Sequence, residues 1–128
     1  MRLLLDTHAL IWLVSGDDRL SASLLAVLER DDIIVFVIAV SAVEIAIKHR
    51  LGKLPDVGRL ATAIETVVEQ LGLEPLPISL SHARLAGSMS GDHRDPFDRM
   101  LAAQAIMEGL TLVSADKALD GFGVTRLW

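Results

Sequence analysis

The sequence predicts an α/β fold of the three-layer α/β/α kind, in which helices cover both faces of a mostly parallel central sheet. Short apolar runs alternate with amphipathic stretches along the whole chain, and this alternation favours parallel strands joined by helices. The run from Ile33 to Val40 is rich in β-branched residues and free of charge, which is typical of a strand buried on both faces. No repeat or flexible linker interrupts the pattern, so we expect a single domain over residues 1–128.

The individual elements follow from hydrophobic spacing and from the positions of glycine and proline. In the first half, the pattern predicts a strand at 3–5, a helix that ends at Gly16, a helix over 21–30, a strand over 33–40, a helix over 41–50 and a helix over 57–71. In the second half, it predicts a strand at 76–78, a helix at 81–86, a loop at 87–94, a helix from Asp95 to Gly109, a strand at 111–113, a helical turn at 115–119 and a strand at 124–127.

Composition excludes several classes of protein. Hydrophobic residues make up 52% of the chain, and a protein of this length buries roughly two-thirds of its unfolded surface, so a core without disulfides is expected. The chain has no cysteine, which excludes thiol nucleophiles and Cys-ligated metal sites and suits a reducing compartment. The apolar run that begins at Ile33 is shorter than the roughly 18 residues of a membrane span, and no signal peptide is apparent. We therefore expect a soluble, cytoplasmic protein without a membrane partner.

Acidic residues follow the predicted strands. Asp6 comes after the first strand, Glu44 after the second, and Asp116 after the strand at 111–113, while Asp95 and Asp98 begin the helix before that strand. Ligands of open parallel sheets bind at the carboxyl ends of the strands, where these acids are expected to meet. The net charge of −5 argues against a protein that coats nucleic acid through bulk positive charge.

Each acid also has a purely structural interpretation. Ser41-x-x-Glu44 matches a capping box, and Glu44 stands four residues before Lys48, the spacing of a helix-surface ion pair. Asp95 followed by Pro96 matches a helix N-terminus, and the other acids suit the positive end of a helix dipole.

Convergence of the acids favours a functional interpretation. Carboxylates from separate elements repel one another when they meet, unless a cation lies between them. A set of oxygen donors without cysteine and without a histidine cluster suits Mg²⁺, with Mn²⁺ as a possible substitute. No G-x-S-x-G, P-loop or G-x-G-x-x-G motif is present, which leaves serine hydrolases, nucleoside triphosphatases and dinucleotide binding without support.

Other residues near the acids have open interpretations. The basic stretch from Lys48 to Arg59 is either a solvated helix end or a surface for a phosphate backbone. His8 and His93 flank the acids and are the histidines expected to approach a substrate. Trp12 and Trp128 are expected in the core, and the aromatic content of 4% assigns base stacking a minor role.

Four motifs resemble those of the PIN domain, and in particular the VapC-like toxins of type II toxin–antitoxin systems. In chain order they are Leu3-Leu4-Leu5-Asp6-Thr7-His8, Ser41-Ala42-Val43-Glu44, Asp95-Pro96-Phe97-Asp98-Arg99-Met100-Leu101-Ala102-Ala103 and Leu112-Val113-Ser114-Ala115-Asp116. By this resemblance, Asp6, Glu44, Asp98 and Asp116 are the catalytic, metal-binding acids, and Asp95 is an additional acid of the metal site. We also expect Thr7, His8, Lys48, Arg50 and Arg99 to face the substrate. Thr7 matches the small hydroxyl residue usual after the first Asp of the family, His8 flanks the acids, Lys48 and Arg50 belong to the basic stretch, and Arg99 follows Asp98 in the third motif. His8 departs from the Ser or Asn common at its position.

The resemblance implies a Mg²⁺-dependent endoribonuclease, commonly a homodimer, that a cognate antitoxin inhibits. Two alternatives remain open from the residues. A phosphatase would use Asp6 as a nucleophile, although it would normally need a second Asp where His8 stands. A non-catalytic PIN-like binding module would use the acids only to receive a basic partner segment.

Overall fold

One five-stranded parallel sheet organises the molecule, and the computed structural model describes all of residues 1–128. The strands are β1 (Arg2–Leu5), β2 (Ile34–Ile38), β3 (Glu74–Leu76), β4 (Thr111–Val113) and β5 (Arg126–Leu127). The helices are α1 (Thr7–Ser15), α2 (Ala22–Leu28), α3 (Ala39–Arg50), α4 (Ile64–Gln70), α5 (Leu80–Ser88) and α6 (Pro96–Glu108), with a 3-10 helix over Lys117–Phe122. The strand order is β3-β2-β1-β4-β5, and every pairing is parallel.

Helices cover both faces of this sheet, which confirms the predicted three-layer α/β/α class. Successive side chains of a strand point to opposite faces. Accordingly, Leu3 and Leu5 of β1 belong to a core with residues of α1, α2, α3 and α4, whereas Leu4 belongs to a second core with residues of α6 and the 3-10 helix. Because β1 lies at the centre of the sheet and is buried on both faces, its carboxyl end is fixed from both sides.

The segment 57–71 departs from the predicted single helix. Only Ile64–Gln70 is helical, although Val57 and Leu60 are buried in the core. Gly58 adopts a positive φ of 62°, a conformation that interrupts a right-handed helix. The apolar residues of this segment therefore belong to two elements, a buried turn and the short helix that follows it.

Helix α3 begins directly where β2 ends. Its N-cap is Ile38, without a side-chain cap, so the interpretation of Ser41-x-x-Glu44 as a capping box is wrong. Ser41 instead lies inside the first turn, and it is buried. The helices at 80–88 and 96–108 lie close to their predicted positions, while β3 lies two residues earlier than expected and β5 is shorter. No helix of the protein combines the length and the hydrophobicity required to cross a membrane.

Candidate functional site

Asp6 occupies the end of the central strand. Its backbone N–H donates to the carbonyl of Val113 in β4 at 3.1 Å, so the turn after β1 is tied to the neighbouring strand. Its carboxylate is the N-cap of α1, where Oδ1 accepts a 2.7 Å hydrogen bond from the N–H of Ala9. The residue is buried, at 7% exposure. The structural interpretation of Asp6 as a cap is correct, and the burial of its charge goes beyond what capping requires.

Glu44 is joined to the start of α1 by Thr7. The Thr7 hydroxyl donates to Glu44 Oε1 at 2.8 Å and lies 3.1 Å from the hydroxyl oxygen of Ser41. Thr7 and Ser41 are both buried, so this small network ties α1 to α3. The role of Ser41 in the network was missed by sequence reasoning, which assigned the residue to a cap.

Asp98 enters the site from α6. It lies in the first turn of that helix, whose N-cap is Asp95 and whose first residue is Pro96. Its Oδ2 lies 2.7 Å from Nε2 of His93, which therefore orients the carboxylate from the preceding loop. The His93 ring packs edge-on against Phe122, with 5.1 Å between the ring centroids. Asp95 itself is exposed and caps α6 through a 2.9 Å bond from the N–H of Phe97.

Asp116 is linked to the same place through Ser114. It caps the 3-10 helix by accepting a 3.0 Å bond from the N–H of Ala118, and its own N–H donates to the hydroxyl oxygen of Ser114 at 3.0 Å. Ser114 is fully buried, and its hydroxyl lowers the pKa of the Asp6 carboxyl, against the larger effect of burial. Ser114 is a second residue of the site that sequence reasoning did not select, although it stands in the fourth motif.

The acids lie near enough to one another to interact electrostatically. Burial is the main cause that raises the pKa of Asp6, Glu44 and Asp98 above the ordinary carboxylate value. Neighbouring negative charge raises them further, since Asp98 acts on Asp6, Asp95 and Asp98 act on Glu44, and Asp95 and Asp116 act on Asp98. We call these five residues the acid cluster: Asp6, Glu44, Asp95, Asp98 and Asp116.

The donor chemistry of the acid cluster fits a hard divalent cation. All five side chains offer carboxylate oxygens, and their mutual repulsion is what a cation would relieve. No three His, Asp or Glu side chains are already arranged to hold a metal ion by themselves. Mg²⁺ commonly binds through one or two carboxylates and retains several waters, so this open arrangement suits it better than a closed cage of protein ligands would.

The residues expected to face a substrate lie in different surroundings: Thr7 and His8 at the start of α1, Lys48 and Arg50 at the end of α3, and Arg99 in α6. Thr7 is buried in the network described above, and His8 is exposed beside it. Lys48 and Arg50 lie in the last turn of α3, where their charges complement the helix dipole.

Arg99 points towards backbone instead. Its guanidinium donates to four carbonyl oxygens at 2.6 to 3.2 Å, those of Ala86, Met89, Gly91 and His93. It thereby holds the loop that carries His93.

Comparisons with known proteins agree with this architecture. A model of the PIN domain family matches residues 3–123. A chain in the structure of VapBC2 from Rickettsia felis, bound to a DNA fragment from its promoter, is 15% identical, with 99% of this chain and 98% of that chain covered and a TM-score of 0.74. VapBC-1 from nontypeable Haemophilus influenzae contains a chain that is 16% identical, with coverage of 99% and 97% and a TM-score of 0.72.

A third structure, of FitAB bound to the IR36 DNA fragment, contains a chain that is 19% identical, with coverage of 99% and 94% and a TM-score of 0.68. No curated protein matches the sequence. At these identities the three structures show a shared fold.

Proposed function

This chain belongs to the PIN domain family, and we propose that it is a Mg²⁺-dependent endoribonuclease that acts as the toxin of a toxin–antitoxin pair. The observation that supports the proposal is the acid cluster, in which three carboxylates with raised pKa values come from the end of β1, from α3 and from α6. Such charges are costly to bury without a ligand, and residues with perturbed pKa values in one place are candidates for catalysis.

Asp6, Glu44, Asp98 and Asp116 would hold the metal, with Asp95 at the edge of the site. When bound there, Mg²⁺ supplies an acidified water and positive charge beside the phosphoryl oxygens of a phosphodiester. Mn²⁺ would serve the same donors.

The residues around the acids prepare their geometry. Thr7 holds Glu44 by a hydrogen bond, His93 holds Asp98, and the first turn of α1 holds Asp6. Because these bonds exist without any ligand, the carboxylates need little reorganisation when a substrate phosphate arrives. We place Thr7 and Arg99 in supporting positions, whereas exposed His8 remains a candidate to touch RNA, and Lys48 and Arg50 remain candidates to contact its backbone.

The proposed partners follow from the chemistry of the site and from the comparisons. The VapBC and FitAB structures are complexes, which supports a cognate antitoxin for this chain. The negative charge of the acid cluster favours a basic segment of that partner. A homodimer belongs to the same proposal, and the exposed side chains of Val43 in α3 and Leu80 in α5, at 47% and 91% exposure, supply apolar surface for it.

The test is cleavage of total cellular RNA by the antitoxin-free chain in Mg²⁺, followed by sequencing of the new ends. We expect discrete cuts that disappear with EDTA and in Asp98→Asn, which keeps the shape of the side chain and removes its charge. The loss should exceed about 100-fold, because even residues that only support metal ligands commonly contribute 10- to 100-fold.

Asp31→Asn is the matched control, since Asp31 is exposed and precedes β2, at the other end of the sheet. It should cleave like the wild type. Cuts that persist in Asp98→Asn would refute the assignment of the acids. A verified antitoxin-free wild type that cuts no RNA would support the non-catalytic binding module.

A further inference from the structure

Trp128 is not a core residue. Sequence reasoning placed Trp12 and Trp128 in the core, but Trp128 is 43% exposed, and Trp12 is only partly buried. The two indoles contact each other in an edge-on arrangement, with 5.4 Å between centroids and 60° between planes. His8 extends the group, since its ring centroid lies 5.7 Å from that of Trp12. We call His8, Trp12 and Trp128 the aromatic cluster.

The aromatic cluster is assembled by the topology of the sheet. His8 and Trp12 are four residues apart on α1, so they lie on the same side of that helix. Trp128 follows β5, whose Leu127 carbonyl accepts a 3.2 Å bond from the N–H of Ser114. Because β5 lies beside β4, and β4 lies beside β1, these connections bring Trp128 to α1 at the carboxyl edge of the sheet.

The aromatic cluster borders the acid cluster. His8 is two residues from Asp6 and directly follows Thr7, whose hydroxyl donates to Glu44. The N–H of Ser114 donates to the Leu127 carbonyl next to Trp128, and the carbonyl of the preceding Val113 accepts from the N–H of Asp6. A chain of nucleotides with one phosphate at the acids would therefore have a neighbouring base within reach of the indoles.

Arg19 adds a cation to this surface. Its guanidinium lies over the Trp12 ring, 4.8 Å from the centroid, and is held there by two bonds to Asp17 at 3.1 and 2.8 Å. Exposed aromatic rings accompanied by arginine are the means by which proteins bind unpaired bases, because every base has a π-face. The sequence contains only two tryptophans, and both are in this cluster.

We propose that the aromatic cluster is a subsite for an unpaired nucleobase next to the phosphate that is cut, with Trp128 as the stacking surface and Trp12 and His8 beside it. This inference rests on the proposed nuclease function and specifies its substrate as single-stranded at the cut. The chemistry selects a flat aromatic ring and carries no preference among the four bases.

Tryptophan fluorescence tests the proposal directly, because both indoles of the chain report on the same surface. A short single-stranded oligoadenylate is titrated in EDTA, which prevents metal-dependent cleavage, beside an oligonucleotide of equal length with abasic positions at its centre. We expect quenching and tighter binding with the intact bases. Trp128→Ala should weaken binding by about 5- to 150-fold, the range that one stacked base contributes. Trp128→Phe should retain most of the affinity.

Ile34→Ala is the matched control, because Ile34 is 47% exposed and lies at the amino end of β2. It should bind the oligonucleotide like the wild type. Equal binding of the intact and abasic oligonucleotides, or wild-type affinity in folded Trp128→Ala, would overturn the stacking subsite. Quenching by a basic peptide but not by the oligonucleotide would overturn it in favour of a protein contact.

Cleavage kinetics separate this inference from the nuclease proposal. If both are right, Trp128→Ala raises KM for RNA more than it lowers kcat, whereas Asp98→Asn removes cleavage. Wild-type KM in Trp128→Ala would refute the subsite and leave the nuclease intact. Base-dependent quenching by an antitoxin-free protein that cuts no RNA would support the subsite and refute the nuclease.

Discussion

Two regions of the molecule treat their carboxylates in opposite ways. The acid cluster holds Asp6, Glu44 and Asp98 buried or half-buried against one another. On the other side of β2, a groove of about 610 Å³ lies between α4 and β3, and its apolar lining includes Val37, Val68 and Leu73. The glutamates of this groove are exposed to solvent: Glu65, Glu69 and Glu74.

The contrast shows in which region the carboxylates lower the stability of the fold. Water solvates the groove glutamates, so their charges need no partner. Asp6, Glu44 and Asp98 of the acid cluster lose much of that solvation and are repelled by neighbouring carboxylates, which raises their pKa values. The raised pKa values of these three carboxylates support the proposal that they bind a cation, whereas the groove glutamates remain in water.

Replacing one glutamate by glutamine in each region should give the largest difference in RNA cleavage rate. Glu44→Gln keeps the acceptor for Thr7 but removes one charge from the acid cluster, and we expect RNA cleavage to fall by more than about 100-fold. Glu69→Gln at the groove should leave the rate unchanged. Initial cleavage rates of the two variants, measured at equal concentration in Mg²⁺, decide the comparison. Equal rates would mean that the two regions do not differ in function.

Loss of an apolar side chain beside the groove should have the opposite effect: it should lower stability and leave RNA cleavage intact. Val68 is 7% exposed in the core, and Val68→Ala should lower the free energy of unfolding by about 1.5 to 3 kcal/mol through lost burial and a cavity. Cleavage below the unfolding temperature should persist, because α4 contributes no acid to the cluster. Ile106→Val, at a helical position of α6 that is 42% exposed, is the control and should shift stability by less than about 0.5 kcal/mol. Urea unfolding measures both.

The pH dependence of stability should show the smallest effect. Because the pKa of Glu44 is raised by folding, the folded state retains a proton that the unfolded chain releases just above the ordinary carboxylate pKa. The contribution of Glu44 to stability therefore decreases as the pH rises through its folded pKa.

Urea midpoints of the metal-free wild type and Glu44→Gln, compared between about pH 4 and 8, isolate this contribution. The variant should gain stability relative to the wild type as the pH rises. A relative loss would show that the Glu44 charge is compensated inside the protein. Mg²⁺ should reduce the gain, since a bound cation offsets the same repulsion.

Capping residues, prolines and glycines in the sequence predicted the helices whose ends depend on them. Asp95 and Pro96 begin α6 and Gly109 ends it with a φ of 64°, as expected from an N-cap, a proline in the first turn and a left-handed C-cap. The alternation of apolar runs with helices was sufficient for the α/β class. The order of the acids along the chain was sufficient to choose them as site candidates.

The sequence interpretation was wrong for residues whose side chains contact another part of the fold. Ser41 matches a capping box locally, yet β2 runs into α3 without a loop, and the Ser41 side chain meets Thr7 of another helix. Arg99 belongs to an acidic motif, yet its guanidinium is occupied by the carbonyls of a loop. Thr7 is 34 residues from Ser41, so no local spacing could have revealed that contact. The carbonyls of Met89 and His93 are 10 and 6 residues before Arg99, but they lie in an irregular segment for which no spacing predicts a contact.

The sequence by itself therefore determined the α/β class and the approximate positions of most elements, because periodicity, capping and turn chemistry act over a few residues. It also selected the acids as candidates for the site, since each follows a strand or begins a helix. Tertiary structure decided which of those acids lose solvent and which side chains fix them. It also decided that Trp12 and Trp128, 116 positions apart, form one surface beside the acids. Burial and contact arise only when the parallel strands bring distant residues to one edge of the sheet.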